Sequence, residues 1–134
     1  MGLHAKYLQD KFAHVEIGIS IPRLRPQTGN FKAPVSVSDK NIVQIVLAMR
    51  LFLPRIGIAV STREDPAFRE NLVGLGITRM SAGSVTRVGG HAKKAYSEDG
   101  AFQFEISDKR DIEEIRAMLR GKGYEAVLKD WVRF

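Results

Sequence analysis

Val15-Glu16-Ile17-Gly18-Ile19-Ser20-Ile21-Pro22-Arg23-Leu24-Arg25-Pro26 is the stretch on which the fold turns. The apolar residues from Val15 to Ile19 read as a strand. Pro22 has no N–H to give a central ladder, so the strand should end there and leave two arginines just past its carboxyl end. Parallel α/β sheets, open or closed, carry their ligands at that end. The plan recurs in Ile56-Gly57-Ile58-Ala59-Val60 running into Ser61-Thr62-Arg63-Glu64, and in Ile77-Thr78-Arg79-Met80 running into Ser81-Ala82-Gly83-Ser84. Three strand ends thus offer hydroxyls and guanidiniums to one rim.

Between these strands the spacing predicts helices. Leu3, Tyr7, Leu8 and Phe12 share one helical face before the first strand. Ser38 can cap a second helix, whose apolar positions Ile42, Ile45, Val46, Met49, Phe52 and Leu53 precede a stop at Pro54. Asp65-Pro66 reads as an N-cap with proline in the first helical position, the helix continuing to about Leu75 with Gly76 as its stop. Phe102 to Ile106 is expected to be a short strand. Asp111 to Glu114 resembles a capping box opening a helix through Arg120, and Tyr124 to Leu128 a last strand. The loops Gln27 to Val37 and Val85 to Gly100 are long.

The resulting order, α-β-α-β-α-β and then a β-α-β-like tail, predicts an α/β fold with parallel strands and right-handed crossovers. Three such strands leave parallel edges and an apolar interior face needing cover, so the chain reads as part of something larger, and the isolated chain is expected to self-associate.

Composition narrows the classes. At 134 residues, with 44% apolar and 27% charged residues, the chain is sized and balanced as one globular domain. It has no apolar run of about 20 residues that would span a bilayer and no apolar signal core near Met1, which makes a cytoplasmic protein the expectation. With no cysteine, it can supply neither a disulfide framework nor a thiolate-held cluster. The net charge of +6 raises nucleic acid as a partner. Yet Arg23/Arg25, Arg87 with Lys93/Lys94, and Lys109/Arg110 are small, scattered groups, and a basic scaffold or nucleic-acid-binding module is the rival reading from another class.

Arg23 and Arg25 either fork onto a carboxylate or phosphate or make surface salt bridges. Ser61 and Arg63 share one face while Thr62 and Glu64 share the other, and Arg63-Glu64 can equally be a structural pair. Ser81-Ala82-Gly83-Ser84 offers small side chains and backbone donors, which suit a close ligand or tight packing alike. His4, His14 and His91 lack metal-ligand spacing, and Gly89-Gly90 is a turn as readily as a phosphate loop.

Taken in order, Ser20-Ile-Pro-Arg-Leu-Arg-Pro26, Arg50-Leu-Phe-Leu-Pro54, Ser61-Thr-Arg-Glu64 with Phe68-Arg69, Ser81-Ala-Gly-Ser84, Gly89-Gly90, Gln103-Phe-Glu105 and Lys129-Asp-Trp131 resemble the carboxyl-terminal part of the 2-iminoacetate synthases, radical S-adenosylmethionine tyrosine lyases of thiamine-thiazole synthesis. The resemblance implies the last three strands of a (β/α)8 barrel over residues 1–100, and over residues 101–134 the terminal segment shared with biotin-synthase-like enzymes. It implies cleavage of tyrosine to 2-iminoacetate and p-cresol with S-adenosylmethionine and a 4Fe-4S cluster. The cluster's CxxxCxxC loop lies in the amino-terminal barrel half that this chain lacks, so the chain alone is expected to be inactive and to bind no cofactor. That missing half and thiazole synthase are the implied partners. Arg23 matches the substrate-carboxylate grip, with Ser61 as a second contact and Arg25 and Arg63 behind them. Ser20, Ser81 and Ser84 fall to the cofactor rim, and no residue is assigned a catalytic role. The related hydrogenase-maturation tyrosine lyase shares much of the pattern, but Lys129 to Phe134 carries no cysteine, which favours the thiamine branch. Val88 and His91 depart from the proline and tyrosine expected around Gly89-Gly90.

Overall fold

The computed structural model describes residues 1–24, 33–86 and 105–128. Arg25, Gly89-Gly90, Phe102 to Phe104 and Lys129-Asp130-Trp131 lie outside them. The described elements are α1 (Gly2–Lys11), β1 (Gly18–Ser20), α2 (Asp39–Phe52), β2 (Gly57–Val60), α3 (Pro66–Leu72), β3 (Arg79–Met80) and α4 (Ile112–Gly121). The strands form a parallel sheet in the order β1-β2-β3.

Local chemistry sets the helices. Ser38 caps α2 by accepting from the Asn41 N–H, while the Asn41 side chain accepts from the Ser38 N–H, satisfying two donors that a helix start leaves orphaned. Asp65 caps α3 through the N–H groups of Ala67 and Phe68, with Pro66 in the first turn. That helix ends at Leu72, before the expected Leu75, because Gly74 and Gly76 take φ of +88° and +113° and unwind the chain. Asp111 and Glu114 form the capping box of α4. Gly123, at φ +82°, closes it: its N–H bonds to the Arg120 carbonyl and the Tyr124 N–H to the Leu119 carbonyl, the double bond of a left-handed helix stop.

The core lies between the sheet and α1, α2 and α3. Ile42, Val46, Met49 and Leu53 from one face of α2 meet Ile56, Ile58 and Val60 of β2 and Phe68 and Leu72 of α3. Fully burying each isoleucine contributes about 1.5–3 kcal/mol. Ile45 and Phe52, expected on that face, keep more than a third of their surface exposed. Arg50 fastens the amino end of the sheet, donating through Nη1 to the carbonyls of Pro54 (2.7 Å) and Ile56 (2.8 Å) and through Nη2 to Gly76 (2.6 Å). This explains the Arg50-to-Pro54 motif as a structural clasp.

Three expectations need correction. The tail is not β-α-β-like among the described residues: Glu105-Ile106 and Tyr124 to Leu128 are not strand, and the left-handed stop at Gly123 leads into an exposed segment with no neighbouring strand. β1 is only Gly18–Ser20, the part in register with Gly57–Ala59 of β2. Nor is the sheet face opposite the helices apolar. Alternation puts Gly18, Ser20, Gly57, Ala59, Ser61, Arg79 and Ser81 there. Arg79 donates to Glu16 at 2.8 Å across the sheet, and a Cβ at Gly18 would stand 3.9 Å from its guanidinium. Among the described residues no helix is long and apolar enough to cross a membrane.

Candidate functional site

At the carboxyl end of the sheet, the chain leaves β1 through Ile21 and Pro22, which sets Arg23 above the end of β2. Its guanidinium is held on three sides. Nε donates to Glu64 Oε2 at 2.7 Å and Nη2 to the same oxygen, and the Arg23 backbone N–H reaches Oε1 at 3.4 Å. Nη1 donates to Asp39 Oδ1 at 2.6 Å and to the Val37 carbonyl at 3.3 Å. The Phe68 ring lies beneath, 5.0 Å from Cζ, a cation–π distance. Glu64 is 1% exposed, so its charge needs this partner. The Glu64 hydrogen bond, outweighing burial, pushes the Arg23 pKa above its ordinary value.

A second network binds the ends of β2 and β3. Arg69 of α3 and Asp108 are both fully buried and pair through Nη1 and Oδ2, while Arg69 Nη2 donates to the Ser81 carbonyl. Arg110 wraps Asp108 from outside, through its backbone N–H (3.1 Å), Nε (3.0 Å) and Nη2 (2.7 Å), and also pairs with Glu70. The N–H groups of Ser107 and Asp108 both reach the Thr62 carbonyl at 3.0 Å, and the Gly83 N–H reaches the Arg110 carbonyl at 3.0 Å. The segment 105–110 is thereby bolted across two strand ends. Burial alone would raise the Asp108 carboxyl, but the Arg110 hydrogen bonds and the Arg69 charge prevail and hold it below the usual carboxylate range. Burial pushes the Arg69 guanidinium down, against the pull of Asp108.

The rim therefore assembles as expected in place, with different partners. Ser20, Ser61 and Ser81 stand at adjacent strand ends on the face away from the helices. Ser61 Oγ accepts from the Arg63 N–H at 3.3 Å, and Ser61 and Arg63 are half-buried while Thr62 and Glu64 are buried. The bonds described for Glu64 run to Arg23, so the glutamate does fix the rim, through the neighbouring strand end. Ser84 is half-buried after Gly83. The backbone of Ser81 to Ser84 is less free than its sequence implies, since the Ser81 N–H bonds to the Val60 carbonyl and the Gly83 N–H to Arg110. Arg25 lies outside the described residues. Sequence reasoning missed Asp39, Phe68, Arg69, Asp108 and Arg110 as rim residues. Only Phe68-Arg69, carried by the resemblance, gave a signal; in the sequence Arg110 is merely part of the small basic group Lys109/Arg110.

A groove of about 740 Å³ lies elsewhere, along β3 and α4. Met80, Ile115, Leu119 and Tyr124 help to line it, and Arg23, Ser61 and Arg63 do not. The site of interest is the charged rim.

Comparison with known proteins agrees with this architecture. Residues 20–125 match the Biotin and Thiamin Synthesis associated domain. The chain is 36% identical over 128 residues to 2-iminoacetate synthase of Escherichia coli (strain K12), covering 96% of this chain and 33% of that protein. The Salmonella typhimurium enzyme of the same name is 35% identical over the same shares. The chain thus spans about a third of the length of these curated relatives. Among solved structures, HydG, a maturase of the FeFe-hydrogenase, superposes with a TM-score of 0.74 at 42% identity, over 90% of this chain and 26% of that one. HydG from Carboxydothermus hydrogenoformans gives 0.74 at 36% identity, over 92% and 27%. With that match running through all three strand ends and α4, the chain belongs to the Biotin and Thiamin Synthesis associated domain family.

Proposed function

We propose that the chain is the carboxyl-terminal part of a 2-iminoacetate synthase, contributing the last three strands of a (β/α)8 barrel and the substrate-carboxylate grip of a radical S-adenosylmethionine tyrosine lyase. The observation that carries this reading is Arg23, fixed by a buried glutamate at the carboxyl end of a parallel strand, where a charge-assisted fork can seize an amino-acid carboxylate. Ser61 on the neighbouring strand is the second contact, and Arg63 and Arg25 are further candidates. Ser20, Ser81 and Ser84 supply polar contacts for S-adenosylmethionine. When bound in the complete enzyme, that cofactor and a 4Fe-4S cluster would supply the radical chemistry. A cluster does not fit this chain, which has no cysteine, so its ligands belong to the remaining two-thirds of the protein. The residues present bind and orient the amino acid, leaving its phenol to point inward.

The curated names favour the thiamine branch. The 42% identity with HydG favours hydrogenase maturation as the second reading. One protein tests the lyase reading: the Escherichia coli relative with its matching third replaced by this chain, reconstituted anaerobically. It is expected to release p-cresol from tyrosine. Cleavage of S-adenosylmethionine without p-cresol would move the grip out of this chain. Rescue of a thiamine auxotroph against rescue of a hydrogenase-maturation mutant then separates the branches.

The isolated chain is expected to associate. Among the described residues β1 and β3 each have one strand neighbour, and open parallel edges are templates for pairing. Because the opposite sheet face is small and polar, edge pairing drives the association. Sedimentation should show dimers or larger species at micromolar concentration. A monomer that unfolds cooperatively would mean the edges are protected.

A further inference from the structure

A guanidinium presents two edges to carboxylates, the Nε/Nη2 side and the Nη1/Nη2 end. Arg23 fills them unequally. Glu64 takes the side edge from a position 1% exposed, reinforced by the Arg23 backbone N–H and the Phe68 ring. Asp39 reaches the end edge through one oxygen, with a side chain 62% exposed. The first partner is a fixture and the second is exchangeable, because exposed ion pairs contribute little. Asp39 is also dispensable as a helix cap: Ser38 and Asn41 already form the capping box of α2.

Building on Arg23 as the substrate grip, we infer that Asp39 is an intramolecular stand-in for the substrate carboxylate, occupying the outward edge of Arg23 until an incoming amino acid displaces it, while Glu64 is the positioning residue that keeps the guanidinium in place throughout the exchange. An empty Arg23 would attract any anion. A tethered carboxylate instead sets a threshold that a ligand must exceed with a fork where Asp39 offers a single bond.

The test follows the Arg23 Nε–Hε resonance of the full chain by NMR while L-tyrosine, tyramine or sodium acetate is added at constant ionic strength. L-tyrosine and acetate should shift the resonance, and tyramine, which lacks the carboxylate, should not. Asp39→Asn should tighten L-tyrosine binding about two- to fivefold, the scale of an exposed pair. Glu64→Gln should broaden or move the resonance before any ligand is added. If the carboxylates shift Arg23 but Asp39→Asn leaves the affinity unchanged or weaker, the stand-in role is wrong and the grip survives. If neither carboxylate moves Arg23 in either protein, the grip itself fails and the stand-in with it.

Discussion

Asp108→Ala is expected to destabilise the fold by about 3–5 kcal/mol, the range for removing one partner of a buried ion pair. Domains of this size are stable by only about 5–15 kcal/mol, so the loss is a large part of the total. The cost arises on the side that remains. Arg69 is fully buried, and its Nε already has no hydrogen-bond partner among the described residues. Without Asp108 its charge keeps only the Ser81 carbonyl among its described bonds. Arg110 loses its inner anchor as well, so the 105–110 segment is held at the ends of β2 and β3 by the backbone bonds to Thr62 and Gly83 and by the Arg110–Glu70 pair. Urea unfolding measures the effect. The double variant Arg69→Met/Asp108→Leu should cost less than Asp108→Ala, because it removes the stranded charge along with its partner. If Asp108→Ala costs under about 1 kcal/mol, the pair is not what fastens the tail.

The same carboxylate sets an acid limb. Asp108 is held below its ordinary range, so its folded pKa lies under the unfolded value of about 3.9. Such a group contributes stability in full above the unfolded value and loses it as pH falls through the folded one. Its contribution should be constant from neutral pH to about 5 and decline below about 4. The decline should flatten in Asp108→Ala.

These networks show where sequence reading reaches and where it stops. Helix starts were legible because their partners are three residues apart: Ser38 with Asn41, and Asp111 with Glu114. The parallel order was legible because strand and helix periods alternate along the chain. Strand length was not, since β1 extends only as far as β2 pairs with it. The ion pairs were hidden by distance along the chain. Arg23 finds Glu64 across 41 residues and Arg69 finds Asp108 across 39, and no local spacing records such a choice. Arg63 stood beside Glu64 in sequence and was the natural guess. Pro22 decided otherwise by bringing Arg23 over the end of β2. What the sequence did locate was the rim itself, because a strand-breaking proline and three hydroxyl-bearing strand ends are local features.

Substituting Arg23 is expected to lower the efficiency of p-cresol release about 30- to 1000-fold in the reconstituted chimera, the equivalent of about 2–4 kcal/mol of lost transition-state stabilisation. Arg23→Lys retains the charge but forfeits the planar fork. An ammonium is a point charge, and one that stays with buried Glu64 has no rigid second edge to offer a substrate. Arg23→Ala goes further and leaves Glu64 buried without its guanidinium, so part of its effect will be on folding. Lysine is therefore the cleaner variant, and unfolding of both should be measured beside activity. The assay must separate two readouts. S-adenosylmethionine cleavage should continue in Arg23→Lys if the arginine serves the amino acid, whereas p-cresol release should fall with a raised KM for tyrosine. A loss of both together, in a protein that remains folded, would place Arg23 with the cofactor instead. Wild-type p-cresol release by both variants would exclude it from the site and pass the assignment to Arg63 or Arg25.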